Sequence, residues 1–121
     1  MEKIDLNLAK KMVDHYHNTR KKLIDRSHSI NDTKSVWFPI KEFKDFVNQL
    51  PDHATGVRIH LAAYDHDIHH APNQTTTVLT GTVANGTGHK DVIEDSNLLA
   101  VAGLAPANRG KSCPPECPTT T

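Results

Sequence analysis

The chain has 121 residues, room for one domain with a modest core. Hydrophobic residues make up 36%, below the usual share, so much of the surface must be polar. Fourteen basic residues balance fourteen acidic ones, which argues against the basic face of a protein that tracks a phosphate backbone. A local cluster at Lys10, Lys11, Arg20, Lys21 and Lys22 is interrupted by Asp14 and Asp25. No apolar run approaches the length of a membrane span, and the first twelve residues lack the apolar region of a signal peptide. The expected location is therefore cytoplasmic, with neither nucleic acid nor membrane as a partner.

The first predicted element is an amphipathic helix from about Leu6 to Arg26. Ile4, Leu8, Met12, Tyr16, Leu23 and Ile24 recur at helical spacing. Asp5 or Asn7 is placed to cap its start, and Lys21, Lys22 and Arg26 suit the negative end of its dipole. The expected role is a helix laid across a sheet, with a pairing helix of an oligomer as the alternative. The stripe is too interrupted for a coiled-coil seam. Ser27–Lys34 reads as a turn, in which Asn31 and Asp32 bond nearby backbone. Trp37, beside Phe38, is expected to anchor a corner of the core.

Pro39 is suited to the first helical position, where no amide donor is needed. Ile40, Phe43, Phe46, Val47 and Leu50 then mark one face of a second helix, which Pro51 ends. The central strand is read at Gly56–Asp65. Val57, Ile59, Leu61 and Ala63 alternate with Arg58, His60, Ala62 and Tyr64, and the first set is expected to be buried. Thr75–Thr82 is the next strand, rich in Thr and Val and free of proline. The short connection makes the pair an antiparallel hairpin. Val83-Ala84 extends it toward Asn85-Gly86, a type I′ turn signal. Asp91–Asp95 reads as a short strand or an acidic turn, and Asn97–Gly103 as a helical turn or an edge strand. The glycines between Gly81 and Lys90 lack the spacing of a phosphate loop.

Three stretches carry chemistry-bearing residues. Asp65, His66, Asp67, His69 and His70 form the densest group of metal-ligand types and suit zinc or nickel. No accepted metal spacing is matched, and Asp65–Asn73 reads equally as a solvated loop; no cofactor is required by the sequence. A metal-dependent hydrolase built on this cluster is the enzymatic reading. Arg58, His60 and Tyr64 share the less buried face of their strand and define a small-ligand surface. Cys113 and Cys117 form a CxxxC motif that is compatible with free thiols, a small disulfide loop or half a metal site. Asn31-Asp32-Thr33, Asn73-Gln74-Thr75 and Asn85-Gly86-Thr87 match the glycosylation pattern and read as turns.

The predicted organisation is α+β. It has two N-terminal helices packed on a small antiparallel sheet over residues 1–104, and a proline-rich extended tail over residues 105–121. Four prolines in that tail, at positions 106, 114, 115 and 118, exclude a regular helix. The tail is expected to dock on the domain or on a neighbouring copy. Ser35-Val36-Trp37-Phe38, the helix ending at Leu50, Gly56-Val57-Arg58-Ile59, Thr75-Thr76-Thr77-Val78 and Cys113-Pro-Pro-Glu-Cys117 together resemble small uncharacterised proteins of the Bacteroidota type. That resemblance implies no activity, and no functional residue carries over from it. The functional expectation is a non-enzymatic interaction or structural protein that self-associates as a homo-oligomer. The neutral charge permits close approach of like copies.

Overall fold

A computed structural model describes residues 1–92, 106–108, 110–114, 117 and 118. Within them the chain mixes helices with antiparallel sheets, an α+β arrangement. It opens with α1, Leu6–Tyr16. Asp5 caps this helix: its carboxylate accepts the backbone N–H groups of Asn7 at 3.1 Å and Leu8 at 3.3 Å. A π-helical stretch, His17–Lys21, carries the rod into α2, Lys22–His28. There Thr19 donates its hydroxyl to the carbonyl of His15 at 2.5 Å. Ser29, at φ 53°, ends the rod in the left-handed conformation.

The rod is not laid across a sheet. No residue of α1 is buried, and Leu6, Leu8, Met12 and Val13 are all exposed. Its anchorage lies at the far end. Lys21 is buried and donates to Asp25 Oδ2 at 2.6 Å and Asn31 Oδ1 at 2.7 Å. Asp25 Oδ1 accepts the backbone N–H of Asp32 at 2.5 Å. Asp32, 0% exposed, accepts from the N–H of Thr75 at 2.7 Å and its hydroxyl at 2.6 Å. The turn expected to satisfy itself locally thus ties the helical rod to the sheet. A carboxylate buried this deeply needs several donors, and Thr75 supplies two.

Strand β1, Ser35–Trp37, precedes α3, Ile40–Asn48. Pro39 is the cap of α3, one residue earlier than the first-turn position expected for it. Phe43, Phe46 and Leu50 are half-buried, whereas Ile40 and Val47 stay exposed. Trp37 is a correction to the sequence reading: it is 56% exposed, and the Lys111 ammonium sits 5.4 Å from its ring. Strand alternation at Ser35–Trp37 turns Val36 inward and leaves Trp37 on the outer side.

The larger sheet has three strands in the order β2, Gly56–Ala63; β3, Thr75–Asn85; and β4, Gly88–Asp91. The antiparallel hairpin is as expected, with Gly56 opposite Thr82 and Ala63 opposite Thr75. The central strand is β3, however, and among the described residues β2 is an edge. β3 holds β2 on one side; on the other it holds β4 and, at Leu79, a two-bond bridge to Ala107. The alternating apolar residues of β2 are not buried: Ile59 is 57% exposed and Leu61 85%. The β3–β4 turn also differs from the expectation. Asn85 pairs with Gly88, so the two loop residues are Gly86 and Thr87, and Gly86 has the positive φ, 62°. Glycine at the first loop position is the mark of a II′ turn rather than I′.

The core is small. Leu50 packs against buried Val83 and Val92, and Gly81 lets it in. A Cβ built on Gly81 would lie 2.5 Å from Leu50 Cδ2. A second, two-stranded sheet joins β1 to β5, Lys111–Cys113, with Ser35 opposite Cys113 and Trp37 opposite Lys111. Lys34 N–H bonds the carbonyl of Cys113 and prolongs this pairing. Two pieces of the expected tail therefore dock within the chain, at Ala107 and at β5. Of the element expected at 91–95, Asp91 ends β4 and Val92 is buried in the core, while residues 93–95 lie outside the described residues. So do the element expected at 97–103 and the apolar residues Leu98, Leu99, Val101 and Leu104.

Candidate functional site

Strand pairing places Arg58, His60, Thr80, Thr82, His89 and Asp91 on one face of the larger sheet. Asp91 is the centre of this group and is 4% exposed. Arg58 Nη1 pairs with Asp91 Oδ1, and His60 Nε2 lies 2.6 Å from Oδ2. Arg58 Nη2 also donates to the carbonyl of His89 at 3.2 Å. His89 Nδ1 is 2.8 Å from the Thr55 hydroxyl, which is 3.0 Å from that of Thr82. Burial pushes the Asp91 carboxyl up, but the hydrogen bonds from His60 and Arg58 outweigh it and hold the group below the usual carboxylate range.

This geometry does not assemble a hydroxyl–imidazole–carboxylate relay. Such a relay uses both ring nitrogens of the histidine, one toward each partner. Here Nε2 faces Asp91, and the same Nε2 is 3.4 Å from the Thr80 hydroxyl. Arg58 and His60 converge as the shared strand face requires, yet their target is Asp91. Tyr64, the third residue of the expected ligand surface, goes elsewhere. Its hydroxyl donates to Asn108 Oδ1 at 2.7 Å, and its ring meets that of His70 edge-on at 4.8 Å. Asn108 in turn donates to the Thr76 hydroxyl at 3.1 Å and the Thr77 carbonyl at 2.6 Å.

The acidic and histidine-rich stretch is a run of turns. The Asp65 carbonyl accepts from the N–H of Ile68 and from that of Asn73, the latter at φ 61°. His66 Nδ1 lies 2.8 Å from Asp65 Oδ1, with both side chains largely in solvent. Asp67, His69 and His70 are exposed as well, and Ala71 is the one buried residue of this loop. Among the described residues no three or more His, Cys, Asp or Glu side chains are arranged to hold a metal ion. Cys113 and Cys117 are joined in a disulfide, with their Cα atoms 4.4 Å apart.

The opposite face of the sheet carries the feature that sequence reading missed. A cavity of about 520 Å³ is lined by Val36, Phe38, Phe43, Ile59, Leu61 and Leu79, together with Ser and Thr side chains. Tyr16, the last residue of α1, also lines it, and burial together with the nearby charges of Asp32 and Asp25 raises its phenol pKa. Among the described residues Lys34 is the one charged residue of the lining. The alternation of Ile59 and Leu61 was the signal for an apolar face. What it did not reveal is that the face lines an open groove. No helix among the described residues is long and apolar enough to cross a membrane. Comparison with protein-family models, with curated proteins and with solved structures returned no match.

Proposed function

We propose that this chain is a non-enzymatic interaction protein that self-associates through apolar surface left open by its own fold. The observation that carries the reading is the groove over Ile59 and Leu61. It has the size of a binding cavity, its exposed lining surface is mostly apolar, and Ile59 and Leu61 within it remain in solvent. Isolated exposed apolar residues need no explanation, but a contiguous set marks an interaction site. The exposed apolar residues of α1 add to it. The polar face favours the same reading by contrast, because Arg58 and His60 are both engaged by Asp91.

Sedimentation equilibrium over a wide range of protein concentration tests the proposal. The expected result is a reversible shift from one chain to two as concentration rises into the tens of micromolar. A single-chain mass throughout that range refutes self-association.

A further inference from the structure

We propose that the Cys113–Cys117 disulfide is a thiol–disulfide exchange site, open to small thiols at the sulfur of Cys117. The site does not depend on self-association of the chain. Its two halves differ in access. Cys113, the last residue of β5, is 3% exposed, whereas Cys117 is exposed. A thiolate opens a disulfide by attacking one of its sulfurs, and access governs which one is reached. Here the accessible partner is Cys117.

The bridge is poorly placed to be a fastener. It joins residues only 4 apart, and the entropy that a cross-link removes from the unfolded chain grows with the loop it closes. It ties β5 to the residues that follow it, not to another element of the domain. Other contacts attach β5. Its residues pair with β1, and the Cys113 carbonyl accepts the Lys34 N–H. Gly110, just before the strand, lies against Val36 and Phe38 so closely that a Cβ there would sit 2.4 Å from Val36 Cγ1. Opening the bridge therefore leaves Cys113 where the strand holds it and frees Cys117. Exposed bridges are the ones that exchange readily, whereas structural ones resist reduction.

The reaction balances between the bridge and the incoming thiol. The thiolate forms a bond to Cys117 Sγ, the Cys113–Cys117 bond breaks, and its electron pair stays on Cys113 Sγ as a thiolate. The product is a mixed disulfide on Cys117. Cys113 reverses the step by attacking Cys117 Sγ and expelling the small thiol. A small dithiol carries the reaction forward instead. Its second thiolate attacks its own first sulfur, closes to a cyclic disulfide and releases Cys117 as a thiolate. The dithiol is oxidised and the bridge is reduced.

The folded wild-type chain treated with dithiothreitol, without denaturant, supplies the test. Opening of the bridge, followed by mass after acid quench and alkylation, should run within about tenfold of its rate in concentrated urea. A bridge that opens only through global unfolding would react about a thousandfold more slowly or worse, because so little of the chain is unfolded, and that result overturns the proposal. A brief pulse of iodoacetamide on the reduced, folded chain should label Cys117 at least about tenfold faster than Cys113. Equal labelling, or faster labelling of Cys113, overturns Cys117 as the attacked sulfur. Hydrogen exchange at the Lys34 N–H should stay slow after reduction. Loss of that protection would show that the bridge fastens β5, and it too overturns the proposal.

Discussion

The N-terminal helix and the C-terminal segments invert the relation between regularity and anchorage. Helix α1 is eleven residues of unbroken hydrogen-bonded turns, and none of its residues is buried. Near the other end, Ala107 forms an isolated bridge and β5 has three residues, yet both are fixed by long-range pairing. Asn108 alone bonds a side chain of β3, a carbonyl of β3 and Tyr64. A helix satisfies its own backbone and can therefore project from a domain. An extended segment cannot, so it finds its partners on another strand. The local regularity of a segment says little about where a small protein is held together.

The largest effect should come from the junction that holds the helical rod to the sheet. Asp32→Ala removes the buried acceptor of two Thr75 donors and leaves the Thr75 N–H without its partner. The expected loss is about 3 kcal/mol, the scale of hydrogen bonds to a buried charge. Urea denaturation measures it, and a loss below about 0.5 kcal/mol would mean that the rod is held elsewhere. Asn108→Ala tests the other side of the comparison. It should lower stability by about 1.5 kcal/mol in the same assay and speed hydrogen exchange at Leu79, whose N–H bonds the Ala107 carbonyl. Unchanged exchange there would show that the bridge does not depend on Asn108.

Acidification probes the face that neither terminal region supplies. The folded-state pKa of Asp91 is lowered, so its contribution is fully present above the unfolded value of about 3.9 and is lost as pH falls through the folded value. Wild-type stability should therefore fall on that acid limb, and Asp91→Asn should flatten it. An identical acid limb in the variant would place the titrating groups elsewhere. The smallest effect is expected in α1. Leu8→Ala, measured at a concentration where the chain is monomeric, should change stability by less than about 0.5 kcal/mol, because the side chain is already in solvent. A larger loss would reveal that α1 is covered within its own chain.

Much of the local structure was legible in the sequence. Pro39 and Pro51 bracket α3, and the alternation after Gly56 together with the Thr-rich run after Gln74 describes the hairpin. Those features depend on neighbours in the chain, which is where propensity and periodicity act. The polar cluster was half legible. Arg58 and His60 stood out on one strand face, but Asp91, 33 residues from Arg58, had no local mark as their partner. Asp32 looked like a turn residue because asparagine and aspartate commonly are, and its partner Thr75 lies 43 residues away. Tyr64 was grouped with Arg58 and His60 by alternation, and was drawn away by Asn108, 44 residues distant.

What the sequence determined by itself is therefore the set of segments and the faces they offer: two helical stripes, an apolar and a polar side to β2, and a tail barred from helix by its prolines. Only the tertiary structure decided which of those faces would be covered. An alternating strand buries its apolar side when a layer packs over that side, and Ile59 and Leu61 of β2 stay exposed. An amphipathic helix buries its stripe when its trajectory crosses a sheet, and no residue of α1 is buried. Periodicity records the capacity to be buried. Strand order and helix direction, which depend on contacts between distant residues, determine whether that capacity is met within one chain.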